Sequence, residues 1–196
     1  MTYRMQRRRH RPDGARQRGA TLIEVLVSIV ILLVALLGTA GLVARSGQSE
    51  MESYQRAQAL TLLQDMVARL NANRQAAACY AGAGTMTVAG STTAAPPVCT
   101  AGTDAQRALA TADLAAWGDE LLGSTEKDGT KSVGAMIGAL GCIEAVDLPN
   151  QIYRVSIAWQ GLAKTGASAL PCGRGQFGDD ANRRAISVQV RIGVLS

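Results

Sequence analysis

Residues 18–44 decide the fold, and they read Arg-Gly-Ala-Thr-Leu-Ile-Glu-Val-Leu-Val-Ser-Ile-Val-Ile-Leu-Leu-Val-Ala-Leu-Leu-Gly-Thr-Ala-Gly-Leu-Val-Ala. One acidic residue, Glu24, precedes twenty residues without a charge, from Val25 to Ala44. Twenty helical residues cover about 30 Å, which is the thickness of the hydrocarbon core of a bilayer. The stretch therefore predicts a helix that spans a membrane at some stage.

The basic charge of the chain lies in front of this helix. The net charge is +5, but residues 1–19 hold seven arginines and one aspartate, a net of +6, so the remainder carries −1. Basic residues directly before an apolar span hold that end of the chain in the cytoplasm. We therefore read the arginines as an orientation signal on a leader peptide and expect no nucleic-acid partner.

A conventional signal peptide is a less favoured alternative. Cleavage after Gly38-Thr39-Ala40 or Leu42-Val43-Ala44 would release a secreted binding protein, and an uncut signal would anchor that protein in the membrane. However, the apolar run is longer than the usual signal, and a helical pattern continues from about Gln48 to Arg74. We expect the packed face of that continuation to contain Met51, Tyr54, Leu60, Leu63, Met66, Val67 and Leu70.

Glu24 has a local and a wider interpretation. Thr21 and Glu24 have the spacing of a capping box, with Thr21 as the helix cap. A carboxylate at the edge of an apolar helix also needs a positive partner once helices pack around it. The α-amino group made by cleavage before Ala20 would supply that charge, so we predict that Glu24 acts in subunit assembly.

Residues Gly19–Val27 resemble the prepilin signature of type IV pilins and of type II secretion pseudopilins. The resemblance implies cleavage by a prepilin peptidase between Gly19 and Ala20, N-methylation of Ala20, and a mature chain whose fifth residue is Glu24. The residue after the glycine is usually phenylalanine in this family, so Ala20 departs from the pattern and leaves its methylation open.

Later segments are similar to one subfamily of minor pilins, the type IV pilus modification protein PilV. They are residues 58–74, 141–143 and 153–161. This resemblance implies a minor pilin in the inner membrane, with its C-terminal domain in the periplasm and later in the pilus at the cell surface. Its expected partners are other major and minor pilins, the prepilin peptidase, the inner-membrane assembly platform and the lipid bilayer. A type II secretion minor pseudopilin is the alternative.

The organisation that follows is a leader at 1–19, an assembly helix at 20–74 and a globular domain at 75–196. Residues 75–103 read as an irregular loop, and Asp104 as the cap of a helix that reaches Leu122. Lys127-Asp128-Gly129 reads as a turn. Alternating apolar residues predict strands at 153–159 and 186–192, with a weaker one at 142–146. The predicted fold is α+β, a small antiparallel sheet laid on the long helix.

Four cysteines, Cys79, Cys99, Cys142 and Cys172, have no short metal-binding spacing, so two disulfides fit an exported chain better than zinc. The sequence does not choose among three pairings. We favour Cys79 with Cys99 and Cys142 with Cys172, because each pair closes one loop.

Catalysis has no support in the sequence. The single histidine, His10, lies in the leader, so the mature chain holds no histidine-based catalytic or metal site. We expect the carboxylate pairs 119–120 and 179–180, and the arginine pair 183–184, to be solvated surface groups. No enzyme activity, cofactor or metal is predicted.

Overall fold

The computed structural model describes residue 19 and residues 21–82, 86–90, 98–123, 127–129, 131–132 and 136–193. These residues form two compact units, the first ending at Arg45 and the second beginning at Ser46. Residues 1–18 of the leader and Ala20 lie outside the described residues. The division into 1–19, 20–74 and 75–196 stays a prediction.

Helix α1 runs from Leu22 to Ala72 and belongs to both units. In the first unit every described side chain is exposed, since the apolar residues there have no protein to pack against. In the second unit, α1 buries a single stripe of residues three or four positions apart, as one helical face requires. The stripe consists of Gln55, Ala59, Leu63, Met66 and Leu70.

The predicted packed face of this half of α1 is correct in part. Leu63, Met66 and Leu70 are buried as expected, and Val67 is half-buried. Met51, Tyr54 and Leu60 remain 44–55% exposed, so their assignment to the core was wrong. Residue type misled the prediction, because the buried stripe includes Gln55, whose side-chain oxygen accepts a 3.2 Å hydrogen bond from the Trp159 indole.

The segment predicted as a loop at 75–103 contains regular structure. A 3₁₀ helix occupies Arg74–Cys79, and strand β1 occupies Thr87–Gly90. Four residues give too short an alternating pattern for the strand to be recognised. Residues 83–85 and 91–97 lie outside the described part of the chain.

Helix α2 spans Asp104–Leu121, close to the predicted range. Its N-cap is Thr103, whereas the sequence had suggested Asp104. The Thr103 hydroxyl accepts from the Gln106 backbone N–H, and the Gln106 side chain accepts from the Thr103 backbone N–H. This reciprocal capping box satisfies two backbone donors at the start of the helix, whereas the carboxylate of Asp104 pairs with Arg107 instead.

Six strands are described in all. Strands β2 (Lys127–Asp128) and β3 (Lys131–Ser132) pair with each other, so Lys127 and Asp128 of the predicted turn are strand residues and only Gly129 is in a turn. Strands β4 (Ile137–Asp147), β5 (Ile152–Gln160) and β6 (Arg183–Arg191) join β1 in an antiparallel sheet. The order is β1-β4-β5-β6, so β6 is an edge strand. The expected α+β fold, a long helix packed on a small antiparallel sheet, is confirmed.

The sheet is covered on both faces. Side chains of Ile143, Val155 and Ile157 enter the main core with α1 and α2. Alternate positions on β4 and β5 point to the other face, where a smaller cluster contains Cys142, Ala158 and Cys172, with Phe177 packed against it. Residues 161–182, between β5 and β6, thus supply this second layer.

Candidate functional site

The first turn of α1 carries the acidic residue singled out by the sequence. The backbone carbonyl of Thr21 accepts from the N–H groups of Glu24 (3.0 Å) and Val25 (3.3 Å), so Thr21 stands at the N-cap position. Glu24 is exposed and lies within the first turn, where the helix dipole favours a negative charge. The chain thus holds one carboxylate at the start of an apolar helix.

The surface around Glu24 is apolar and unpartnered within the described chain. Nearly all the large aliphatic side chains between Leu22 and Val43 are about half exposed or more. The carboxylate shares a shallow groove along the helix with Val25, Ser28, Ile29 and Leu32. Helix α1 is long and apolar enough to cross a membrane. A surface of this kind requires lipid or other helices against it.

The processing residues can be placed only in part. Gly19 is exposed, with no other group within 4 Å of where a side chain would begin. Ala20, the expected new N-terminus and methylation position, lies outside the described residues. Cleavage between the two, methylation of Ala20 and the assembly role of Glu24 therefore stay predictions.

Within the second unit, polar contacts as well as the core join the sheet to α1. Arg184 at the start of β6 donates a 2.9 Å hydrogen bond to the Glu52 carboxylate on α1. The Trp159 indole donates to Gln55, one turn further along the helix. These side chains fix the edge of the sheet to the helix surface.

Two disulfides hold the loops of this unit. Cys79 is bonded to Cys99, and Cys142 is bonded to Cys172. These are the two pairs that loop closure favoured. The first joins the 3₁₀ helix to the segment that precedes α2. The second joins β4 to the layer on the outer face of the sheet.

Arg183 contradicts its expected place on the surface. Its side chain is fully buried, and the guanidinium donates to the carbonyls of Ser168, Leu170 and Cys172 at 2.7–2.9 Å and to both carboxylate oxygens of Asp180. The hydrogen bond from Arg183 lowers the pKa of Asp180. Nothing in the local sequence distinguishes this arginine from a solvated one, because its acceptors lie in the loop it organises.

A partly buried polar network was missed by sequence reasoning. Arg69 on α1 forms ion pairs with Asp65 (2.6 Å), Asp113 (3.3 Å) and Glu120 (2.8 Å). Tyr80 donates a 2.5 Å hydrogen bond to Asp113. Burial, strengthened by that hydrogen bond, raises the pKa of Tyr80 well above its ordinary value. The contacts join α1 to α2 across long sequence separations.

Three carboxylates of the pairs 119–120 and 179–180, which were expected to be solvated, have ion-pair partners. Glu120 pairs with Arg69, Asp180 with Arg183, and Asp179 with Lys164 at 2.8 Å. Among the residues that the structure describes, no three histidine, cysteine, aspartate or glutamate side chains are grouped to hold a metal ion. The chemically distinctive surface is therefore the exposed apolar helix with Glu24 at its start.

Family models match two consecutive parts of the chain. The model described as the prokaryotic N-terminal methylation motif matches residues 14–40, which include Gly19, Ala20 and Glu24. The model described as type IV pilin Tt1218 matches residues 41–115, from the middle of α1 into α2. No curated protein matches the chain, and no solved structure does.

Proposed function

Because the chain is a type IV pilin-like protein, we propose that it is a minor pilin subunit that takes part in assembly of a type IV pilus. The observation that carries the proposal is the exposed apolar half of α1, with a single carboxylate, Glu24, in its first turn. Such a surface suits transfer from lipid into a bundle of identical or related helices. The family is structural, so we assign the chain no catalytic role.

Maturation begins with removal of the leader. A prepilin peptidase cuts between Gly19 and Ala20, and the new α-amino group is available for N-methylation. The cut also removes the segment that holds the whole basic excess, leaving a mature chain of net charge −1. The match to the methylation motif over residues 14–40 supports this step.

Assembly exchanges lipid contacts for helix packing. Apolar side chains lose little in this exchange, because lipid tails and neighbouring aliphatic side chains are similar surroundings. A carboxylate is different, since an unpaired charge among apolar helices is costly. Glu24 therefore selects a position where the N-terminal amine of a neighbouring pilin can pair with it.

The methylation motif and the apolar helix fit a protein that is first anchored in the inner membrane. We propose that the second unit lies in the periplasm and later in the pilus at the cell surface. Its partners are other major and minor pilins, the prepilin peptidase and the inner-membrane assembly platform. The minor rather than major role rests on similarity of residues 58–74, 141–143 and 153–161 to the PilV subfamily.

N-terminal sequencing of the mature protein from cells tests the proposal. A first residue at Ala20 is expected, with or without a methyl group. A start at Gly41 or Arg45 would instead identify a conventional signal peptide and end the pilin interpretation.

The phenotype of a deletion strain then distinguishes a role in a type IV pilus from a role in a type II secretion system. Loss of surface pili with normal release of secreted proteins is expected. Loss of protein secretion with normal pili would assign the chain to a type II secretion system, whose pseudopilins share the prepilin signature.

A further inference from the structure

An open cleft of about 300 Å³ lies between α1 and the edge strand β6. We call it the basic cleft, and its walls are formed by Ser49, Glu52, Ser53, Arg56, Trp159, Arg184, Ala185 and Ile186. In the described part of the chain, β6 pairs only with β5, so the cleft borders the free edge of the sheet. The cleft is therefore open to a partner from solvent.

The two arginines of the basic cleft differ in what they contact. Arg184 is held by Glu52, by the Thr165 hydroxyl and by backbone carbonyls. Arg56 is exposed and has no ion pair or hydrogen bond to any residue that the structure describes. With two arginines and one carboxylate, the cleft has a net charge of +1, and Arg56 is available to a partner.

Apolar side chains continue this surface beyond Arg56. Leu60 lies one helical turn further along the same flank of α1 and is 44% exposed. Val188 follows Ile186 on the same face of β6 and is 37% exposed. Arginine is enriched at protein–protein contacts, and the exposed aliphatic side chains add apolar area beside Arg56.

The opposite flank of α1 has the complementary charge. We call Asp65, Asp113 and Glu120, gathered around Arg69, the acidic cluster. One cation faces three carboxylates, so the cluster has a net charge of −2. The side chains of Asp65 and Glu120 are 40% and 29% exposed, so the acidic cluster lies at the surface of the second unit.

We propose that the basic cleft of one molecule binds the acidic cluster of a second copy of this chain. Contact between two basic clefts would bring like charges together, whereas cleft against cluster joins opposite charges. Such a contact uses two different surfaces, so each copy can bind one neighbour on each flank. The inference rests on the proposed function, because it supplies a lateral contact between pilin subunits.

The arrangement has a geometric consequence. Arg56 and Asp65 are nine residues apart on α1, which corresponds to about 14 Å along the helix axis. Parallel copies joined through these residues are therefore displaced along the helix. A displaced heterologous contact does not close into a ring, so it is compatible with the axial stagger of neighbouring subunits in a filament.

Zero-length crosslinking of the full chain in lipid vesicles tests this contact. The Arg56→Lys variant keeps the charge and adds an amine, which a carbodiimide joins to a carboxylate as an amide while the carbodiimide becomes a urea. We expect covalent dimers linked from position 56 to residue 65, 113 or 120. Mixing isotope-labelled and unlabelled chains identifies by mass spectrometry the links between molecules.

Arg74→Lys is the matched control, since Arg74 is also exposed and lies outside both surfaces. It should give dimers at least about fivefold less often, the factor that a favourable exposed ion pair can supply. Raising the salt concentration from about 0.05 to about 0.5 M should weaken the Arg56→Lys link, because salt screens exposed charges.

Dimers linked to other carboxylates, or equal yields from both variants, would overturn the proposal. Capture of another pilin in cells, without any link between two copies, would overturn it as well. The result is independent of leader cleavage and piliation. A correctly processed pilin that fails to crosslink thus refutes the contact alone, and a chain starting at Arg45 refutes the proposed function.

Discussion

The indole N–H of Trp117 on α2 donates a 3.0 Å hydrogen bond to the main-chain carbonyl of Leu62 on α1. The same ring lies against Gly141 of β4, where a methyl group would approach its carbon atoms to 2.3 Å. One side chain thus joins both helices and the sheet. Trp117 is completely buried, so its polar N–H requires the partner that Leu62 provides.

Replacement of Trp117 separates its polar and apolar contributions. Trp117→Phe removes the hydrogen bond and leaves the carbonyl of Leu62 with its helical partner, so a loss of about 1–3 kcal/mol is expected. Trp117→Ala should cost about 3–5 kcal/mol because it also leaves a cavity. Denaturant unfolding of the full chain in detergent, followed by near-UV circular dichroism, measures both. Equal losses would contradict a dominant role for ring packing.

A substitution at Gly141 tests the close contact between β4 and the ring of Trp117. Gly141→Ala should destabilise the second unit by about 1–3 kcal/mol, because the added methyl group overlaps Trp117 and Leu121. Gly47→Ala is the matched control, since nothing lies within 4 Å of its position in α1. That change should stabilise by up to about 1 kcal/mol through helix propensity. Thermal unfolding of the two variants should therefore shift in opposite directions.

Glu24→Gln tests the assembly site without changing side-chain size. Membrane insertion and leader cleavage should remain, because the apolar span and Gly19 are intact. Surface pili should fall strongly, since the variant cannot pair with an N-terminal amine. Glu50→Gln, an exposed carboxylate on the same helix, is the control and should assemble normally. Normal piliation by the Glu24 variant would count against the proposed role of this residue.

Disulfide mapping by mass spectrometry on unreduced protein should find Cys79 with Cys99 and Cys142 with Cys172. Replacing both cysteines of either pair by serine should cost about 3–4 kcal/mol if loop closure dominates. Protease resistance of the loops joined by each pair gives a second measurement. A bridge between Cys79 and Cys172 would be incompatible with the described sheet.

The free energy of unfolding should depend on pH through the titration of Asp180. Arg183 lowers the pKa of Asp180 in the folded protein, whereas in the unfolded chain the carboxyl titrates near its ordinary value of about 3.9. The folded protein therefore gains stability that is fully present above that ordinary pKa and is lost as the pH falls through the lowered one. Asp180→Asn should be less stable than the wild type at pH 7, and the difference should shrink below about pH 4.

Asp119→Asn is the control for this titration, because Asp119 is exposed and outside the described ion pairs. As an exposed surface substitution, it should change the stability at pH 7 by no more than about 0.5 kcal/mol. Urea unfolding of the three proteins between pH 3 and pH 7 gives the comparison. A constant difference between Asp180→Asn and the wild type across that range would exclude the linkage.

Helices and strands were predicted correctly from the sequence where the pattern that indicates them lies within the segment itself. Twenty uncharged residues after Glu24 predict an apolar helix because length and hydropathy are properties of the stretch itself. Alternation at Tyr153, Val155 and Ile157 predicts β5 in the same way, since each strand face repeats every second residue. The cap of α2 was one residue away from its expected place, because Thr103 and Asp104 are both good caps.

The sequence by itself determined the leader charge, the apolar span, the position of Glu24 and the α+β class, because charge and periodicity are read along the chain. Only the tertiary structure decided that Gln55 is buried while Leu60 is exposed, that the side chain of Arg183 is buried against the loop at 161–182, and that Trp117 contacts Leu62. Each of these depends on which distant segment packs against the residue; Trp117 and Leu62 are 55 positions apart. Burial is a property of that pairing and not of residue type alone.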